Sequence, residues 1–72
     1  MNYNDRIRAL REDNDLTQLS IANYLNIAQN TYSQYESRKR EIPLGILIKL
    51  ADFYDCSLDY LVGRTEKKEI NQ

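Results

Sequence analysis

Apolar residues recur at helical rather than strand spacing along nearly the whole chain, and the residues that interrupt helices, Asn26, Pro43 and Gly63, stand far apart. The pattern divides into five short helices. The first is predicted from about Asp5 to Asp13 behind an Asn4 cap, with Ile7, Leu10 and Asn14 on one face and Ile7 and Leu10 in the core. Thr17 caps the second, in which Ile21, Ala22 and Leu25 line an inward stripe, and Asn26 ends it because asparagine tolerates the left-handed conformation. The third begins near Ala28. Its Tyr32 and Tyr35, three residues apart, turn inward and leave Gln29, Asn30, Ser33 and Gln34 outside. Pro43 opens the fourth, where its missing N–H costs nothing, and Leu44, Leu47, Ile48, Ala51 and Tyr54 form a broad apolar stripe. Ser57 caps a last short helix that stops at Gly63. The expectation is an all-α, compact five-helix bundle over residues 1–63, followed by a polar tail over 64–72.

Composition narrows the function classes. A chain of 72 residues holds one modest core and no second domain. With 42% hydrophobic and 29% charged residues it belongs among folded chains, and no apolar run approaches the ~20 residues that span a bilayer. The first ten residues lack the apolar stretch of a signal peptide, and the single cysteine, Cys56, can form neither an internal disulfide nor a metal cage. A cytoplasmic protein with no membrane partner, no metal and no cofactor is expected. Cys56, close to Asp55 and Asp59, reads as a small, half-buried residue rather than a redox switch. With no histidine and no glycine-rich phosphate loop, the chain also lacks the usual groups for acid-base or nucleophilic work, so no enzyme is expected.

Net charge changes the picture less than its distribution does. The formal value of −1 is unusual for a nucleic-acid binder. Residues 26–40, however, carry a net +2 through Arg38, Lys39 and Arg40, whereas residues 41–63 carry −3. An acidic surplus gathered on one side orients a molecule on DNA without preventing binding.

Between Leu16 and Arg40 the chain reads LTQLSIANYLNIAQNTYSQYESRKR, two short helices joined by the tight turn Leu25-Asn26-Ile27. This segment resembles the helix-turn-helix of the Xre, Cro and phage-repressor family. The features shared are TQ opening the first motif helix, IA in its middle, L-x-I at the turn, and T-Y-S-x-Y-E through the second. The likeness continues through IPLGILIKLADFYDCSLDYLVG and covers about 60 of the 72 residues. It implies a lambda-repressor-like DNA-binding domain and a sequence-specific transcriptional regulator, in particular a repressor.

An α-helix fits the major groove of B-DNA, where each base pair shows a distinct pattern of donors and acceptors. The resemblance makes the second motif helix the reading element. Gln29 and Gln34 would contact bases, since an amide can pair with adenine N6 and N7, and Asn30 would read a base or a phosphate. Thr31 would touch a thymine methyl or a phosphate, or else simply pack. Gln18, at the start of the first motif helix, would hold one strand's phosphate, helped by backbone N–H groups and the helix dipole. Ser37, Lys39 and Arg40 would clamp the other flank, and Tyr35 would offer its hydroxyl to a phosphate. Arg11 and Glu36 form a family-like ion pair that would set the angle of the reading helix. Arg11 could instead bond Asp15, its neighbour four residues on, for only about 0.2–0.5 kcal/mol.

Three positions depart from the family pattern. Arg38 stands where a glycine is usual and where the backbone often needs positive φ. Ala28 replaces the usual Ser or Thr cap, a loss of about 1 kcal/mol unless Gln18 bonds the exposed N–H groups instead. Leu19, where a charge is common, leaves a small apolar spot near Tyr24. A domain of this size reads one half-site, so a homodimer on a near-palindromic double-stranded operator is expected, with half-sites about 34 Å apart. Leu58, Tyr60 and Val62 are the expected dimer interface, although the same residues could close the core. The alternative is a protein-interaction or antitoxin module of the same fold, with a toxin or other protein partner and little or no DNA binding.

Overall fold

A computed structural model describes residues 2–67, and among these the secondary structure is entirely helical. The helices are α1 (Tyr3–Asp13), α2 (Gln18–Leu25), α3 (Gln29–Glu36), α4 (Leu44–Tyr54) and α5 (Leu58–Leu61). Residues 68–72 of the expected tail lie outside the described residues.

Three helices begin on side-chain caps. Asn2, Thr17 and Ser57 accept hydrogen bonds from the backbone N–H groups of Asp5, Ser20 and Tyr60, so each satisfies a donor that its helix leaves unpaired. The start of α1 therefore differs from expectation. Asn2 caps it two residues earlier, and Asn4 is buried one turn inside, where its Nδ2 donates to the Tyr35 carbonyl at 2.6 Å. A buried acceptor on another helix attracts an asparagine amide as strongly as a free helix end does, and local sequence does not distinguish the two.

All five helices end alike. The residue after each last turn takes positive φ: Asp15 (55°), Asn26 (59°), Arg38 (67°), Asp55 (53°) and Gly63 (84°). The following N–H then reaches back to a carbonyl five residues earlier: Leu16 to Arg11, Ile27 to Ala22, Lys39 to Gln34, Cys56 to Ala51 and Arg64 to Asp59, all within 2.8–3.0 Å. This is the Schellman closure, which satisfies terminal carbonyls and turns the chain sharply enough for loops of a few residues. Asn and Asp bear the left-handed conformation through their short polar side chains, and Gly63 bears it without a Cβ. Arg38 has neither advantage.

Ile7 and Leu10 from α1, Ile21, Ala22 and Leu25 from α2, and Tyr32 and Tyr35 from α3 meet Leu47, Leu50 and Ala51 of α4 in one core, which Ile42, Cys56 and Leu61 close. The two tyrosine rings pack edge to face with centroids 6.4 Å apart, a preferred aromatic geometry. Cys56 is fully buried rather than half-buried. Helix α4 departs furthest from its expected stripe. Leu44 is 63% exposed and Ile48 46% exposed, while Leu50 has no exposed surface. Pro43 precedes the helix as its N-cap residue instead of forming its first turn. Eight of the eleven residues of α4 are apolar. Its apolar arc is thus wider than the face the bundle can cover, and packing chose which edge went inside.

Candidate nucleic-acid interface

Helices α2 and α3 are each eight residues long and are joined through Asn26 and Ile27, whose backbone closure on Ala22 sets the angle between them. Tyr32 and Tyr35 fasten the inner face of α3 to the core, so the opposite face is held outward by packing. Gln29 and Asn30 are exposed, and Thr31, Ser33 and Gln34 are partly exposed. The outer face of α3 thus presents amides and hydroxyls without a formal charge. No side chain caps its N-terminus, where Ala28 occupies the cap position. Gln18 does not take up those N–H groups as an alternative cap; it donates through Nε2 to Glu36 Oε1 at 3.1 Å.

The C-terminal end of α3 is fixed by a polar seam against α1. Arg11 Nε and Nη2 donate to the two carboxylate oxygens of Glu36 at 2.8 and 3.1 Å, and Arg11 Nη1 donates to the Leu16 carbonyl at 2.8 Å. This forked, charge-assisted geometry joins α1, α3 and, through Gln18, the start of α2 at one carboxylate. The local Arg11 pairing with Asp15 is displaced by it. Burial alone would raise the Glu36 carboxyl, but hydrogen bonding from Arg11, with the neighbouring Tyr32 hydroxyl and Gln18, outweighs burial and holds it below the usual carboxylate range. Burial and the nearby Glu36 charge raise the Tyr32 hydroxyl far above its ordinary value, and the same two causes push Tyr54 up to about 12. The Tyr54 hydroxyl is buried without a hydrogen-bond partner among the described residues. Asn4 adds its bond to the Tyr35 carbonyl, and Arg38 Nη2 meets Asp5 Oδ2 at 2.6 Å.

The remaining site residues fall in distinct places. Ser37, Lys39 and Arg40 are exposed beyond the end of α3, and Lys39 and Arg40 form no ion pair with the described residues. Arg38 is engaged by Asp5 instead. Tyr35 is only 4% exposed, which leaves little of it open to any outside contact. Leu58, Tyr60 and Val62 are partly buried against the core, and Tyr60 lies under the Arg6 guanidinium, 4.0 Å from its ring centroid. The large apolar side chains most open to solvent lie on α2 and α4: Leu19, Tyr24, Leu44, Ile48 and Phe53. Tyr24 and Phe53 pack against each other with their rings tilted at 50° and their centroids 4.5 Å apart. Sequence reasoning missed Asn4 and Arg6 as buried polar residues. A long cationic side chain four residues before the core residue Leu10 carries no local mark of burial.

Comparison with known proteins agrees with this geometry. The family model described as helix-turn-helix matches residues 7–61. The chain is 39% identical over 64 residues to the Bacillus subtilis (strain 168) protein named uncharacterized HTH-type transcriptional regulator YobD, covering 89% of this chain and 57% of that protein. It is 35% identical over 72 residues to the HTH-type transcriptional regulator ImmR of the same organism, covering 100% of this chain and 57% of the relative. The chain therefore spans little more than half the length of these relatives. Its backbone superimposes with a TM-score of 0.79 on the P22 c2 repressor, solved in complex with a synthetic operator, at 26% identity over 90% of this chain and 98% of that one. A matched helix-turn-helix carried on a backbone shared with a phage repressor leaves one conclusion: the chain belongs to the Xre and Cro type of helix-turn-helix family.

Proposed function

We propose that this chain binds double-stranded DNA sequence-specifically, with α3 in the major groove, and regulates transcription as a repressor. The observation that carries the reading is the outer face of α3. An uncharged row of amides is held outward by two buried tyrosines and followed at once by the exposed cations Lys39 and Arg40. Amides can distinguish base edges, whereas cations hold phosphates of any sequence. In this reading Gln29 and Gln34 contact bases, Asn30 and Thr31 contact bases or flanking phosphates, and Gln18, Ser37, Lys39 and Arg40 contact phosphates. Tyr35 contributes at most its hydroxyl. Arg11 and Glu36 position α3 without touching DNA. Residues 1–63 form the binding unit, with residues 64–72 as a polar tail outside it in function.

The near-palindromic target calls for a homodimer on DNA, with Leu58, Tyr60 and Val62 at the joint. The chain is read as a cytoplasmic binding module rather than an enzyme. Its single cysteine is buried, its sequence has no histidine, and no helix among the described residues is long and apolar enough to cross a membrane. The exposed apolar side chains of α2 and α4, with the net charge of −1, favour a second reading as a protein-interaction module, a toxin being one possible partner.

Selection from random duplex DNA, followed by titration of the selected site at two salt concentrations, tests the proposal. One site should emerge, and its affinity should fall with salt with a log–log slope of about −0.9 per phosphate neutralised. Gln34→Ala should weaken that site by about 1–3 kcal/mol and relax preference at one position, whereas Lys39→Ala should weaken all sequences alike. Absence of binding at either salt would leave the protein-interaction reading in its place.

A further inference from the structure

Arg38 follows α3 with a φ of 67°, the left-handed conformation in which a Cβ crowds the backbone. The other residues that take it after a helix are Asp15, Asn26, Asp55 and Gly63, the types best suited to it. An arginine brings nothing to this closure that a glycine would not supply better. What it adds is a guanidinium.

That guanidinium does not stand with the cations beside it. Its Nη2 donates to Asp5 Oδ2 at 2.6 Å, across 33 positions of sequence. Asp5 is placed to receive it. The carboxylate lies in the first turn of α1, where Asn2 accepts from the Asp5 backbone N–H and the helix N-terminus favours negative charge. The arginines next along the same helix are engaged elsewhere, Arg6 with Glu66 and Arg8 with Glu12. The paired side chains are 56% and 50% exposed, so the contact is open to solvent and adds little to stability. Its larger consequence is for charge. Lys39 and Arg40 form no ion pair with the described residues, so two of three successive cations are free and one is neutralised.

We infer that Asp5 is an internal competitor for Arg38, and that their contact is an autoinhibitory brake on DNA binding. A carboxylate offers a guanidinium a pair of oxygens much as a phosphodiester does, so Arg38 serves one or the other. While Asp5 holds it, the basic flank after α3 acts with two cations instead of three. The inference rests on the DNA-binding reading and concerns a charge withheld from DNA rather than a further contact. Because the brake is built within the chain, it lowers binding to every sequence alike and leaves base preference to α3.

A double-mutant cycle of Asp5→Asn and Arg38→Gln in the whole chain tests the brake, with each protein titrated on the selected duplex and on a random duplex across a salt series. Wild-type binding is measured first, which separates failure of the DNA-binding reading from failure of the brake. Asp5→Asn should tighten both duplexes several-fold and steepen the log–log salt slope by about 0.9, the value of one added phosphate neutralised. Arg38→Gln alone should leave the slope at its wild-type value, and adding Asp5→Asn to it should no longer steepen the slope. Asp5→Ser repeats the measurement with a second neutral side chain, and thermal midpoints close to wild type show that the fold is retained. Three results overturn the inference. Asp5→Asn fails to tighten binding; or Arg38→Gln alone flattens the slope by about one unit, so that Arg38 already neutralises a phosphate; or the gain from Asp5→Asn is as large without Arg38, so that it reports only the loss of a negative charge.

Discussion

Helices α2 and α3 have the same length and share one turn, yet they are secured at opposite ends. Helix α2 is satisfied at its start, where the Thr17 hydroxyl accepts from Ser20 N–H. Helix α3 has no such cap and is instead secured at its finish, where Glu36 meets Arg11, the Tyr35 carbonyl meets Asn4, and Arg38 meets Asp5. The difference teaches where a reading helix places its stability. Its free N–H groups and outward amides sit at the N-terminal end, and the polar ties that hold it sit as far from that end as eight residues permit. Uncapped N–H groups cost stability in the free protein and are available to an anion in a complex.

The largest expected effect breaks the secured end. Glu36→Ala leaves Arg11 buried without its partner and should cost about 3–5 kcal/mol in denaturant unfolding. A loss below about 1 kcal/mol would mean that the seam does not hold α3. The same carboxylate sets a pH dependence. Its folded value is depressed, so its contribution is complete above the unfolded value near ~4.3 and disappears as pH falls through the folded value. The penalty of Glu36→Gln should therefore be large at pH 7 and shrink on acidification below about pH 4. An unchanged penalty at pH 3 would contradict the depressed carboxyl.

The starts of the two helices, one capped and one free, give smaller effects of opposite sign. Thr17→Ala should lower stability by about 1 kcal/mol, and Ala28→Ser should raise it by a similar amount, both read from thermal midpoints. If Ala28→Ser gained nothing, the start of α3 would not be the unsatisfied end. The smallest effect lies outside both helices. An added Cβ at Gly45 in the first turn of α4 meets nothing within 4 Å, so Gly45→Ala should stabilise by up to about 1 kcal/mol without altering DNA affinity. A loss of affinity there would place a ligand close to that backbone.

Much of the fold was legible because its signals are local. Thr17, Ser57, Asn26 and Gly63 act within one turn of themselves, and the inward spacing of Tyr32 and Tyr35 already set which face of α3 would be outside. The odd position of Arg38 was legible too, since a left-handed residue is demanded by the closure of α3 whatever side chain stands there. Asn4 was misplaced because a capping asparagine and a buried one look identical until the Tyr35 carbonyl, 31 residues on, is brought beside it. Leu44 and Ile48 belong to the predicted apolar stripe of α4 yet face water, because periodicity gives the centre of an apolar arc more surely than its edges.

The sequence by itself therefore determined five helices, the caps Thr17 and Ser57, the stops at Asn26 and Gly63, and an amide-bearing face on α3, because each follows from interactions between residues a few positions apart. Tertiary structure alone decided which polar groups would share Glu36, which edge of α4 would face water, and which cation Asp5 would hold. Those outcomes depend on pairings between distant segments, set by how the helices pack.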